Sequence, residues 1–207
     1  MKLLAHRGFW TDGPECNSLA ALLAAGKRGY GVETDIRDQG GEIVVSHDMP
    51  AAAAMTLRDL LAAAGPLAHP LALNVKADGL AAATAALLAE YEVLNAFVFD
   101  MSIPDHLAWI TAGVATLTRW SDIEPSPVLD EASAGIWLDS MHRDLWWDPA
   151  ELEAVVQSGR LVAFVSPELH GREHLAVWNH IREHGWDRRD TVLLCTDFPD
   201  LAERFFA

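Results

Sequence analysis

Two histidines and two carboxylates lie within the first 48 residues, each at or beside the end of a short apolar run: His6, Glu33, Asp35 and His47. Because residues alternate faces along a strand, Glu33 and Asp35 should point the same way. Paired carboxylates repel each other unless a cation lies between them, and oxygen donors suit Mg²⁺ or Ca²⁺. The histidines add two groups that titrate near neutrality. This set predicts metal-assisted acid–base chemistry on an anionic substrate.

The elements that must position these residues are short strands alternating with helices. Eight main strands are predicted, at Leu3–Ala5, Gly31–Ile36, Leu71–Val75, Phe97–Phe99, Ala115–Leu117, Gly135–Leu138, Leu161–Val165 and Val192–Cys195. Ala and Leu recur at helical spacing between them, and Glu42–Val45 should be an additional strand that pairs back. The alternation predicts βαβ units and a parallel sheet, and eight strands favour a closed (β/α)8 TIM barrel.

The chain is short and uniform in composition. At 207 residues, with no linker rich in Gly, Pro or Ser, residues 1–207 are predicted to form one domain. Only one short helix fits between His47 and Leu71, so a compact barrel without a large inserted subdomain is expected.

Composition excludes several classes of partner. The net charge of −15 argues against binding to nucleic acid or to anionic membranes, which require clustered Lys and Arg. No apolar run reaches the length of a membrane-spanning helix, and two cysteines are too few for a disulfide framework. No signal peptide is predicted ahead of His6. A cytoplasmic protein with a small-molecule substrate is expected, and a homo-oligomer is compatible with the sequence.

Polar residues recur where the predicted strands end. In a barrel the active site lies at the carboxyl ends of the strands. The candidates there are His6, Arg7, Glu33, Asp35, His47, Asn74, Lys76, Asp100, Arg119, Asp139, Ser166, Glu168, His170 and Asp197. Arg119 follows the fifth main strand and Glu168 the seventh, where both are predicted to contact the substrate.

Several short segments around these residues resemble the glycerophosphodiester phosphodiesterase family. That family is a (β/α)8-barrel relative of the bacterial phosphatidylinositol phospholipases C. The similar segments are AHRG at 5–8, PECNS at 14–18, ETD at 33–35, HD at 47–48, the lysine at 76 and TDFPD at 196–200. The resemblance implies a phosphoric diester hydrolase of lipid metabolism that uses a divalent cation, Mg²⁺ or Ca²⁺.

The resemblance also implies roles for individual residues. His6 and His47 match the two histidines that act as general acid and base, and the assignment between them stays open. Glu33 and Asp35 match metal ligands. The resemblance and the residue types predict substrate contacts for Lys76, Arg7 and Glu15, although an extra Cys16 separates Glu15 from Asn17.

The chain departs from the family pattern at Asn74. The pattern has an acidic metal ligand two residues before the lysine, whereas this chain reads Leu73-Asn74-Val75-Lys76. An amide oxygen can ligate Mg²⁺ or Ca²⁺ but brings no charge. Three outcomes are open: Asn74 is a neutral ligand, another acid such as Asp100 or Glu168 replaces it, or the site has lost its metal and its chemistry.

The leading prediction is therefore a metal-dependent phosphodiesterase that cleaves a glycerophosphodiester-like substrate by His/His acid–base catalysis. Two alternatives remain. One is a degenerate, non-catalytic barrel that binds a phosphorylated ligand, and the other is a lyase that releases a cyclic phosphate.

Overall fold

The computed structural model describes residues 1–10, 15–50 and 52–207. Pro14 of the PECNS segment therefore lies outside the described residues. The strands are β1 (Lys2–His6), β2 (Gly31–Gln39), β3 (Glu42–Val45), β4 (Leu71–Val75), β5 (Ala96–Phe99), β6 (Ala115–Ser121), β7 (Gly135–Asp139), β8 (Leu161–Val165) and β9 (Val192–Thr196).

Seven α-helices occur in these residues, and short 3₁₀ turns occupy several connections. The helices are α1 (Leu19–Lys27), α2 (Leu57–Ala64), α3 (Ala81–Glu90), α4 (Ile103–Thr111), α5 (Pro149–Gln157), α6 (Leu175–Glu183) and α7 (Pro199–Phe206). Local signals set several of the starts. Ser18 caps α1 by accepting the Ala21 N–H, and Thr56 with Asp59 forms a capping box on α2.

The sheet closes on itself. Its strand order is β1-β9-β8-β7-β6-β5-β4-β2-β3, and β1 also pairs with β2. Eight parallel strands thus form a (β/α)8 barrel, with β3 paired antiparallel to the end of β2. Between β3 and β4 the described residues contain a single helix, α2. The expected compact barrel without a large inserted subdomain is confirmed.

Contacts divide the chain into two compact units, one of which is Ala5–Thr116. Its core includes Leu22 and Leu61 from the helices and Leu73 and Phe99 from the strands, all nearly or fully buried. Within this unit β2 and β4 run parallel with Asp35 opposite Asn74. That register brings two polar side chains of the predicted site onto neighbouring strands.

The other unit comprises Met1–Leu4 and Leu117–Ala207. Its core is rich in aromatic side chains. The Phe164 ring lies 5.9 Å from Trp147 and 5.8 Å from Trp186, measured between ring centroids, and all three are buried. Such ring pairs add to the stability that burial of their area provides.

No helix among the described residues is long and apolar enough to cross a membrane.

Strands β7 and β8 approach each other closely at Gly135, where a side chain would not fit. A Cβ at this position would lie 2.0 Å from the Leu161 carbonyl oxygen, so the strands would have to move apart. We expect Gly135→Ala to lower the free energy of unfolding by about 3 kcal/mol, measured by urea denaturation. The matched control is Gly26→Ala in α1, where a Cβ meets nothing within 4 Å and alanine is the better helix former. Equal stability of the two variants would contradict this account.

Candidate active site

The first two site residues are His6, the last residue of β1, and Arg7 in the turn that follows. Arg7 adopts a left-handed φ of 55° and Gly8 a φ of 90°. A Cβ on Gly8 would lie 2.6 Å from the backbone carbon of Ala21 in α1, so only glycine fits against the helix there. The turn is also closed by the Trp10 indole N–H, which donates to the His6 carbonyl at 2.9 Å.

Strand β2 supplies two buried carboxylates. Glu33 is 1% exposed and Asp35 is fully buried. Both carboxylates contact the turn after β1: the Arg7 backbone N–H donates to Glu33 Oε2 at 3.2 Å, and Arg7 Nε lies 3.1 Å from Asp35 Oδ2. The shared face expected from strand alternation is therefore the face that meets His6 and Arg7.

Glu33 forms the acidic half of a pair with His6. His6 Nε2 lies 3.9 Å from Glu33 Oε2. Burial raises the pKa of the Glu33 carboxyl from 4.5 to about 7, with a smaller push upward from Asp35, while His6 and the Arg7 N–H act in the opposite direction. The site therefore holds a carboxyl that exchanges its proton near neutral pH.

Asp35 is surrounded by positive and hydrogen-bonding groups. Besides Arg7, Lys76 Nζ lies 3.5 Å from Oδ1, and the Asn17 side-chain N–H donates to Oδ2 at 2.8 Å. Arg7 and Lys76 are the two residues for which contact with a substrate phosphate is predicted. In this structure both Arg7 and Lys76 form ion pairs with the Asp35 carboxylate.

Asn17 is a site residue that sequence reasoning missed. Its backbone N–H donates to the Arg7 carbonyl at 2.8 Å, and its side-chain oxygen accepts the Thr34 hydroxyl at 2.7 Å. The available signal was its place in the PECNS segment directly before the Ser18 cap. Nothing in the local pattern shows that it reaches β2.

Asn74 on β4 lies in register with Asp35 on β2. Asn74 Oδ1 and Asp35 Oδ1 are both buried, and neither has a hydrogen-bond partner in the described part of the chain. The same residues contain no group of three or more His, Cys, Asp or Glu suited to a metal ion. Glu33, Asp35 and Asn74 offer two carboxylates and one amide oxygen, which are ligands of the type that Mg²⁺ or Ca²⁺ prefers.

His47 and Glu15 are more exposed. The His47 side chain is 43% exposed, its Nδ1 lies 2.9 Å from Asp48 Oδ1, and its carbonyl accepts from Arg37 at 3.0 Å. Glu15 is exposed, and its carbonyl accepts the Ser18 N–H at 3.1 Å. The structure thus places His47 on the segment after β3, held through Arg37 of β2.

The remaining two predicted substrate contacts belong to the other unit. Arg119 forms an ion pair with Glu124. Glu168 accepts hydrogen bonds from the hydroxyls of Ser166 and Thr196 and from the Asp197 N–H at 3.2 Å. Arg119 and Glu168 thus both have partners within this unit. The Glu168 contacts join the loop after β8 to the end of β9.

The titration of Glu33 yields a prediction about stability. With the pKa raised, the folded protein holds a proton at Glu33 more tightly than the unfolded chain. The resulting stabilisation is complete below pH 4.5 and is lost as the pH rises through 7. Relative to Glu33→Gln, the wild type should lose about 3 kcal/mol of unfolding free energy over this window, measured by urea denaturation in metal-free buffer. Parallel stability curves for the two proteins would contradict the assignment.

Comparison with known proteins identifies the fold. No family model and no curated protein matches the sequence. A solved glycerophosphodiester phosphodiesterase from Parabacteroides distasonis is similar, with 18% identity, a TM-score of 0.76 and coverage of 99% of this chain and 96% of that one. One from Agrobacterium tumefaciens has 19% identity, a TM-score of 0.72 and coverage of 99% and 98%. Both share this chain's barrel over nearly their whole lengths.

Proposed function

We propose that the chain hydrolyses a phosphodiester of the glycerophosphodiester class with the help of a divalent cation. The observation that carries this proposal is the assembly of His6, Arg7 and Lys76 around the buried pair Glu33 and Asp35. Arg7 and Lys76 would supply positive charge for an anionic substrate, and His6 would carry a proton beside them. The names of the solved structures that share the fold support the reaction class.

Glu33, Asp35 and Asn74 would hold the cation, Mg²⁺ or Ca²⁺. The two side-chain oxygens without hydrogen bonds, on Asp35 and Asn74, are the support for this part of the proposal. When bound, such an ion polarises the phosphoryl oxygens as a Lewis acid. These three residues carry one carboxylate fewer than the pattern of the family that the sequence resembles, so they repel an anionic substrate less.

Arg7 and Lys76 would bind the phosphate. Both now lie within 3.5 Å of Asp35, which keeps them at the site before substrate arrives. A guanidinium can hold two phosphate oxygens at once, and an ammonium adds a compact charge. They provide local positive charge in a chain whose net charge is −15, and they balance the charge that develops on phosphorus-bound oxygen.

His6 and His47 would move the protons. His6, whose Nε2 lies 3.9 Å from Glu33 Oε2, would protonate the departing alcohol oxygen. Asp48 beside His47 Nδ1 leaves Nε2 to accept a proton from the attacking water. The water oxygen bonds to phosphorus, the bond to the alcohol oxygen breaks, and the products are an alcohol and a phosphomonoester. Attack by a neighbouring substrate hydroxyl instead would release a cyclic phosphate.

A second candidate function is binding of a phosphorylated ligand without cleavage. The neutral Asn74 favours it, because a weakly charged set of donors holds a cation less tightly. The two functions differ in an observable way, since only the enzyme consumes the ester.

The proton-transfer roles predict a large loss of turnover on removal of either histidine. We expect His6→Ala and His47→Ala each to lower kcat by about 10²- to 10⁴-fold on glycerophosphocholine with Mg²⁺ or Ca²⁺. Product release is followed by ³¹P NMR, which also separates a monoester from a cyclic phosphate. His184→Ala, an exposed histidine at the end of α6, is the control and should retain full activity. Activity of His6→Ala near that of the wild type would overturn the mechanism.

If the uncharged Asn74 is a ligand of the cation, a negative charge at this position should tighten cation binding. Asn74→Asp keeps the shape of the side chain and restores an acid beside Asp35. We expect its dissociation constant for Mg²⁺ or Ca²⁺ to fall about tenfold, measured by titration calorimetry without substrate. Unchanged affinity would show that residue 74 does not contact the ion.

A further inference from the structure

The two oxygens of the Asp35 carboxylate have different surroundings. Oδ2 accepts the Asn17 N–H at 2.8 Å and lies 3.1 Å from Arg7 Nε. Oδ1 is buried with no hydrogen-bond partner in the described ranges, and Lys76 Nζ lies 3.5 Å from it. Oδ2 thus carries a hydrogen bond from the protein, whereas Oδ1 has none among the described residues and lies beside the Lys76 ammonium.

The orientation of the Asn17 amide is determined by Thr34. The Thr34 hydroxyl donates to Asn17 Oδ1 at 2.7 Å, so the amide nitrogen is the end that faces Asp35. A rotation of the amide by 180° would lose this bond and place its oxygen against a carboxylate. Thr34 is fully buried and follows Glu33 directly on β2. Asn17 therefore contacts two successive β2 side chains, which strand geometry directs to opposite faces.

The backbone of Asn17 keeps this side chain in place. Its φ is 59°, in the left-handed region that asparagine adopts more readily than most residues. Its N–H donates to the Arg7 carbonyl at 2.8 Å, and the next residue, Ser18, caps α1. The residue is held between the Arg7 turn and the start of a helix.

We propose that Asn17, oriented by Thr34, is a positioning residue that sets the Asp35 carboxylate to bind a divalent cation through Oδ1 alone. This inference rests on the proposed function, because it takes Asp35 as a ligand. Asp35 Oδ1 and Asn74 Oδ1, on paired residues of β2 and β4, would then be two oxygen ligands of one ion. Hydrogen-bond partners of metal ligands typically alter metal affinity by about 10- to 100-fold when removed.

The test is calorimetric titration of Mg²⁺ and of Ca²⁺ into the folded protein without substrate. Asn17→Gly tolerates the left-handed backbone and removes the amide, and it should raise the dissociation constant by about 10- to 100-fold. Thr34→Val removes the hydroxyl at nearly constant volume and should raise it by a smaller factor. Thr34→Ser keeps the hydroxyl and should bind as the wild type does.

A purely structural role gives a different result. It would lower the melting temperature of Asn17→Gly and leave the cation affinity of the folded protein unchanged, and that outcome overturns the inference while the proposed function stands. A wild type that binds neither ion overturns the cation-dependent function and the inference together. If Asn17→Gly does not fold, the comparison of Thr34→Val with Thr34→Ser decides, and equal affinities in that pair overturn the inference.

Discussion

The site is organised by the burial of two carboxylates, Glu33 and Asp35, on one short stretch of β2. Removal of a charge from water is costly unless other groups replace the solvent. The protein meets this requirement in two ways. Asp35 is paired with Arg7 and Lys76 and receives a hydrogen bond from Asn17, whereas Glu33 has a pKa raised to about 7 and exchanges its proton near neutrality. The same compensation gathers two cationic side chains, Arg7 and Lys76, in a chain whose net charge is −15.

That compensation depends on an irregular backbone next to regular strands. Arg7 and Asn17 both adopt a left-handed φ, and Gly8 lies against α1 where no side chain fits. A left-handed φ is uncommon for a residue such as Arg7, and the two turns direct the Arg7 and Asn17 side chains onto Asp35 of β2. Strain of this kind is kept where the surrounding structure over-determines it, and it occurs preferentially at functional sites.

Asn74 is the point at which this chain differs chemically from the family that it resembles. In the structure Asn74 is the β4 residue in register with Asp35, and its side-chain oxygen has no hydrogen bond within the residues described. A structural asparagine in a buried place normally satisfies both ends of its amide. The unsatisfied oxygen of Asn74, on the strand paired with that of Asp35, supports the inclusion of Asn74 in the proposed cation site.

Sequence alone was sufficient for the strand and helix pattern, because hydrophobic periodicity depends on local burial. Leu71–Val75 and Leu161–Val165 were predicted with their observed limits, and the closed barrel followed from the count of βαβ units. Sequence analysis was less accurate at the ends of strands. Strand β2 was predicted to end at Ile36, but it continues to Gln39 because β3 pairs with it, and strand pairing is a tertiary property. The motifs likewise located His6, Glu33 and Asp35 but not their partners. Contacts such as Asn17 with Asp35 depend on the register between strands and on left-handed turns that join distant segments, and these were decided only when the chain folded.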